Sequence, residues 1–293
     1  MEETKASIRG YGIPPWNFKG RYIFALCRAI YQFHLVKSQV ARALIPKDFR
    51  LVEAFGYTLG GFFLANYDDS PAGAFDELVV IAGLVWNPPT SCAWASKVLV
   101  NSNEACLHGR TEVGLPSHVA RFTKLTANKE QQASRFNRFL NKFGVCSTMP
   151  DPKVFLETQV AELDASASTE EIFNINLLSS LPQENSKKAW LGPHIKMSLP
   201  SFSGRTQYHS SLLKYSCQME SRVRIVHPLL VSTPSHTADL QTQQPAVEDQ
   251  NSSSVNQANR NSLSLTVMLS KPILALEFSC LTMNVETPLV ISE

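Results

Sequence analysis

Leu51-Val-Glu-Ala-Phe-Gly-Tyr-Thr-Leu-Gly-Gly-Phe-Phe-Leu-Ala-Asn-Tyr67, Asp68-Asp-Ser-Pro-Ala-Gly-Ala74 and Phe75-Asp-Glu-Leu-Val-Val-Ile-Ala-Gly-Leu-Val-Trp86 form the stretch that decides the fold. Two runs rich in aromatic and β-branched residues flank an Asp/Ser/Pro/Gly cluster, the pattern of two strands joined by a tight connection. From Tyr57 to Tyr67 both phases are apolar, with Leu59, Phe63 and Ala65 on one face and Phe62 and Leu64 on the other. A half-solvated strand would alternate apolar with polar residues, so this hairpin is expected to be central and covered on both faces.

The flanks extend the β reading. Two prolines in Tyr11-Gly-Ile-Pro-Pro-Trp16 exclude helix, so residues 1–19 are expected to form an extended arm anchored by Trp16 and Phe18. Ile30 to Val36 reads as a strand. Ser38 is placed to cap a short helix with Val40, Ala41, Leu44 and Ile45 inward, and Pro46 to stop it. Asn87-Pro-Pro-Thr90 breaks the second strand of the hairpin, and Trp94 to Val100 reads as another strand. From Lys129 to Phe143 the period changes: Phe136, Phe139, Leu140 and Phe143 predict an amphipathic helix capped by Gly144.

Alternation returns at Tyr215, Cys217, Met219, Val223 and Ile225, at Leu263, Leu265, Val267 and Leu269, and at Leu281, Met283 and Val285, predicting an antiparallel meander. Residues 232–262, rich in Ser, Thr, Gln and Asn, have too little apolar area to offset ordering and are expected to be a disordered surface loop. The chain of 293 residues, 44% of them hydrophobic, is read as a single domain over 1–293, mainly β with few short helices.

A formal charge of +2 without a basic cluster argues against nucleic acid. No run reaches the roughly 18 apolar residues of a spanning helix. The opening Met-Glu-Glu-Thr-Lys has neither an apolar signal core nor an Arg-rich, acid-poor transit character, so the cytoplasm is the expected location. The six cysteines, Cys27, Cys92, Cys106, Cys146, Cys217 and Cys280, are widely spaced and read as buried thiols. No metal site is expected from them or from the histidines, and no phosphate or dinucleotide loop is present, so no cofactor is expected.

Polar residues stranded among apolar runs are the candidates for chemistry. Glu77 precedes Leu78-Val-Val-Ile81, where burial would disfavour its ionised form unless a cation such as Arg110 or Arg121 pairs with it. Both a structural ion pair and an acid/base role are compatible with that setting. Gly109-Arg-Thr-Glu-Val-Gly-Leu-Pro-Ser-His118 is a constrained loop of the kind that presents residues to a pocket. Adjacent Ser117 and His118 do not make a catalytic dyad, because neighbouring side chains in extended chain point apart.

Ser70-Pro-Ala-Gly-Ala-Phe-Asp-Glu-Leu-Val-Val80 with Gly109-Arg-x-x-x-Gly-x-Pro116 resembles the paired signatures of the acetoacetate decarboxylase-like superfamily. Phe49 to Ala65, Val85-Trp-Asn-Pro-Pro-Thr-Ser-Cys-Ala-Trp94 and Glu112-Val-Gly-Leu-Pro-Ser117 resemble one plant branch of it, the neoxanthin-deficient proteins. The resemblance implies an antiparallel β-barrel-like domain around an apolar pocket. Carried over residue by residue, Glu77 matches the family's pocket carboxylate and Arg110 its loop arginine. Thr111 stands where the decarboxylases have Glu, and Ser117-His118 replaces their lysine pair, so imine chemistry is not expected. Arg21 to Arg28 looks like a short insertion, and either Arg21 or Arg28 could stand for a functional arginine of the decarboxylases.

The branch implies a requirement in formation of neoxanthin, a xanthophyll carotenoid upstream of abscisic acid, and hence some association with plastids. The role would be exerted through an apolar ligand such as a carotenoid, or through a protein of xanthophyll biosynthesis. Phe62, Phe63, Tyr67, Phe75 and Trp86 are the expected pocket lining, with Glu77 and Arg110 as polar groups. The alternative is a lyase, isomerase or hydrolase with Glu77 as general acid or base and Arg110 or His118 stabilising negative charge.

Overall fold

The computed structural model describes residues 11–20, 29–126, 155–163, 169–176, 192–233 and 252–291. Seven strands close on themselves: β2 (Ala29–Lys37), β4 (Tyr57–Tyr67), β5 (Phe75–Asn87), β6 (Thr90–Val100), β10 (His194–Gly204), β11 (Leu212–Val226) and β13 (Lys271–Val285). Every pairing in this ring is antiparallel except the closure, where Ser201 and Phe202 of β10 lie parallel to Ala93 and Trp94 of β6. Closure removes the exposed edges that an open sheet of this size would present.

As expected, the β4–β5 hairpin is central and buried on both faces. Phe62, Leu78 and Val80 belong to an outer core, whereas Phe63, Ala65, Tyr67 and Phe75 face the barrel interior. Close approach of β2 and β4 requires glycine at position 61, where φ is +130° and a Cβ would stand 1.9 Å from the Gln32 carbonyl oxygen.

The outer core is covered by further elements. β7 (Ser117–Thr126) leaves β6 in parallel and continues antiparallel through β8 (Phe155–Leu163), β9 (Thr169–Asn176) and β12 (Leu230–Ser232). Helix α1 (Ser38–Leu44) buries Ala41, Leu44 and the following Ile45, as the sequence pattern predicts. Its cap differs: Lys37 is the N-cap, and Ser38 is the first helical residue and makes no capping bond.

Two expectations are corrected at the C-terminal side. Ser252–Met268 is a helix, α3, so neither the loop assigned to 232–262 nor the strand assigned to Leu263–Leu269 holds there. Alternation over seven residues also satisfies i, i+4 spacing, and burial of Ser264, Val267 and Met268 against α1 and the barrel selects the helix. The rest of that loop, residues 234–251, lies outside the described residues, as do the predicted helix at 129–143 and the insertion at 21–28. In the N-terminal arm, Trp16–Lys19 forms strand β1 antiparallel to β13, with Trp16 and Phe18 buried; short strands β3 (Glu53–Ala54) and β14 (Leu289–Val290) complete the sheet. Among the described residues no helix is long and apolar enough to cross a membrane.

Candidate functional site

The barrel interior holds a cavity of about 150 Å³ to which all seven ring strands contribute side chains. Strand alternation sets which residues reach it. On β5, Glu77, Val79 and Ile81 point inward while Asp76, Leu78 and Val80 point outward. Helix α2 (Asn103–Thr111) adds to the cavity wall; at its start the Ser102 hydroxyl accepts from the Ala105 N–H 3.2 Å away. Ala105, His108 and Gly109 of that helix, spaced i, i+3, i+4, look into the cavity.

Glu77 is the acidic group of the lining. Its partly accessible surface opens into the cavity, and the carboxyl experiences an apolar environment. Burial raises its pKa to about 7, against which the 2.9 Å hydrogen bond donated by Tyr67 Oη to Glu77 Oε2 acts in the lowering direction. The expected cation does not appear: among the described residues neither Arg110 nor Arg121 pairs with Glu77. Tyr67 sits opposite Phe75 in the ladder, two residues from the Ala65–Glu77 pair, so its long ring spans the diagonal to the carboxyl.

The neighbouring carboxylates face outward and do take cations. Asp76 binds Lys124 and accepts from Asn66 (2.8 Å) and Asn101 (3.1 Å). Glu162 is held by Lys97 and by His118 Nδ1 at 2.9 Å, and Lys97 also reaches Asn261 Oδ1 at 2.7 Å. Burial pushes the Glu162 carboxyl up, but the His118 hydrogen bond and the Lys97 charge outweigh it and hold the pKa at about 2.

Ser117 and His118 therefore part company, as successive strand residues must. Ser117 lines the cavity, and His118 belongs to the outer ion cluster. Arg110 is not a lining residue: its Nε donates to the Ser117 carbonyl oxygen at 2.7 Å and its guanidinium lies 4.0 Å from the Tyr208 ring centre, which fixes the start of β7. Of the predicted apolar lining, Phe63, Tyr67 and Phe75 reach the cavity. Phe62 is fully buried in the outer core instead, because it has the opposite strand phase, and Trp86 is 46% exposed near the end of β5. No lysine lines the cavity among the described residues.

The structure adds residues that the sequence reading passed over, chiefly Tyr11, Ala93, Ala95, His108 and Tyr215. Tyr11 stacks on His108 with ring centres 3.6 Å apart and 15° between planes, and Trp16 meets the same ring at 4.4 Å and 86°. In the sequence His108 is a lone histidine ahead of the Gly109 loop, and nothing there marks it as a cavity residue. Among the described residues no group of three or more His, Cys, Asp or Glu side chains is placed to hold a metal ion.

The chain is 57% identical to Protein NEOXANTHIN-DEFICIENT 1 of Arabidopsis thaliana, covering 99% of this chain and 98% of that one. It is 54% identical to the protein of the same name from Solanum lycopersicum, covering 100% and 97%. No family model matches. Among solved structures an acetoacetate decarboxylase superposes with a TM-score of 0.52 at 8% identity, covering 99% of this chain and 95% of that one, a likeness of fold.

Proposed function

The chain belongs to the NEOXANTHIN-DEFICIENT 1 family, and from that premise we propose that it serves neoxanthin biosynthesis by binding an apolar ligand inside its barrel. The observation that carries the ligand part is the cavity itself, walled by aromatic and aliphatic side chains with few polar groups. A lining carboxyl whose pKa burial raises to about 7, with no lysine among the described lining residues to pair with an anion, favours an uncharged ligand over a keto acid. The lysine needed for an imine is replaced by Ser117, which supports a role other than Schiff-base decarboxylation. The ligand-binding residues in this reading are Phe63, Tyr67, Phe75 and Glu77.

Expression of this chain in an Arabidopsis thaliana line lacking its own NEOXANTHIN-DEFICIENT 1 protein tests the biological role. Restored neoxanthin is the expected result; accumulation of the protein without neoxanthin would contradict it. Ligand binding is tested separately by quenching of tryptophan fluorescence on titration with a carotenoid, because Trp16 lies in the cavity wall.

One observation favours a second reading, in which the protein is a lyase, isomerase or hydrolase. A buried carboxyl with a pKa of about 7 and no cation beside it among the described residues is suited to general acid/base work. Turnover of a xanthophyll precursor by the purified protein, abolished in Glu77→Gln, would support that reading. Binding without turnover supports the accessory one.

A further inference from the structure

His108 lines the cavity, and both of its ring nitrogens, Nδ1 and Nε2, are buried without a hydrogen-bond partner among the described residues. The residue is 94% buried, with a relative exposure of 6%. Two other polar pairs of the lining are engaged: the Tyr67 hydroxyl donates to Glu77, and Tyr215 bonds with Ser201. Stacking by Tyr11 and the perpendicular contact of Trp16 hold the imidazole in place, so the ring does not turn away to find a partner. An unsatisfied buried imidazole costs free energy that a native fold rarely leaves uncompensated.

Size limits what compensates it. A cavity of about 150 Å³ takes roughly one six-membered ring. The whole of a long polyene does not fit, whereas a single ring at its end does. We propose, building on the apolar-ligand reading above, that the cavity is an end-group site: it takes one oxygenated ring of a long apolar ligand, with a ring hydroxyl or epoxide oxygen hydrogen-bonded to His108 and the remainder of the ligand outside the cavity. Burial pushes the His108 pKa down to about 4, so near neutral pH the ring is uncharged and offers one donor and one acceptor. A hydroxyl satisfies either nitrogen; an epoxide oxygen accepts from the N–H. Glu77, also shifted toward its neutral form by burial, lies in the same wall, and the pair selects an uncharged oxygen over an anion.

The test uses cyclohexanol and methylcyclohexane, rings of matched shape that differ in OH against CH₃, titrated into the full chain and into His108→Phe and followed by calorimetry. His108→Phe keeps an aromatic ring for Tyr11 to stack on and removes both nitrogens. It is expected to weaken cyclohexanol about tenfold and methylcyclohexane less than twofold, the size of one lost hydrogen bond. Retained methylcyclohexane binding shows that the variant is folded. Decahydronaphthol, with a second fused ring, is expected to bind the wild type at least tenfold more weakly than cyclohexanol. Equal losses for the two single rings, or no loss for either, would overturn the role of His108 while leaving the apolar site intact. Tighter binding of the bicyclic alcohol would overturn the one-ring limit. Failure of either ring to bind the wild type would overturn both this proposal and the apolar-ligand reading beneath it.

Discussion

Tyr67 donates from Oη to Glu77 Oε2 at 2.9 Å across the β4–β5 ladder, and this is the contact that favours the charged form of a carboxyl otherwise pushed to about 7 by burial. Tyr67→Phe removes that hydrogen bond and leaves the desolvation. The Glu77 pKa is therefore expected to rise above its wild-type value, read from the pH titration of the side-chain carboxyl by carbon NMR. A lower or unchanged midpoint would contradict this origin of the shift.

The same shift makes stability depend on pH. Glu77 titrates at about 7 in the fold against an ordinary value of 4.5. Between those values the native state keeps a proton that the unfolded chain has released. The contribution is thus complete below the unfolded pKa and is lost as pH rises through 7. His108 and Glu162 also titrate, at about 4 and about 2, so the comparison is made against Glu77→Gln, in which their contributions cancel. From pH 5 to pH 8 the wild type is expected to lose stability relative to Glu77→Gln in urea denaturation. A constant difference would contradict the assignment.

The outer ion cluster is structural in this account. Lys97 and Glu162 are almost wholly buried, with side-chain exposures of 4% and 10%. Lys97→Met leaves the Glu162 carboxylate without its lysine and with the His118 Nδ1 contact, and the expected loss is about 3 kcal/mol of unfolding free energy. Ring-alcohol binding, measured on the fraction that remains folded, should not change, because Lys97 lies on the far side of the sheet from the cavity. A change in affinity with unchanged stability would show that the cluster belongs to the site.

How much of this was legible in the sequence follows from which periodicities are unambiguous. The hairpin from Tyr57 to Asn87 was readable because both phases are apolar, and only a doubly covered strand needs that. The split between its faces was not fully readable as function: Phe62 and Phe63 look alike in sequence, and only closure of the ring at β6 and β10 defines which is interior. Helix α3 was misread because Leu263, Leu265, Val267 and Leu269 fit both periods, and the tie was broken by long-range packing on α1. Glu77 could be picked out as a carboxyl beside an apolar run. His108 could not, since its significance lies in two nitrogens left unpaired by tertiary structure.

Gly61 offers a check on the barrel geometry. Any Cβ there meets the Gln32 carbonyl oxygen at 1.9 Å, and φ is +130°. Gly61→Ala is expected to destabilise by at least about 3 kcal/mol, because a backbone atom of the neighbouring strand must move. A melting temperature within a degree or two of the wild type would show that β2 and β4 do not approach as described.

Loss of imine chemistry is tested by borohydride trapping with acetoacetate, followed by mass spectrometry. The wild type is expected to give no adduct, since Ser117 holds the inward position at the start of β7 and Lys97 and Lys124 are engaged with Glu162 and Asp76. Ser117→Lys places an amine beside the apolar wall and is expected to form one. An adduct on a wild-type lysine would contradict the account of this site.

If neoxanthin formation needs the cavity itself, as proposed above, filling the cavity abolishes it. Ala95 lines the cavity, and Ala95→Phe projects a ring into the space proposed for the ligand. The measurement is neoxanthin content in an Arabidopsis thaliana line lacking its NEOXANTHIN-DEFICIENT 1 protein and expressing either this chain or Ala95→Phe, with both proteins shown to accumulate equally and to melt cooperatively. Restoration by the wild type and none by Ala95→Phe is the predicted result; full restoration by the filled-cavity variant would contradict the claim.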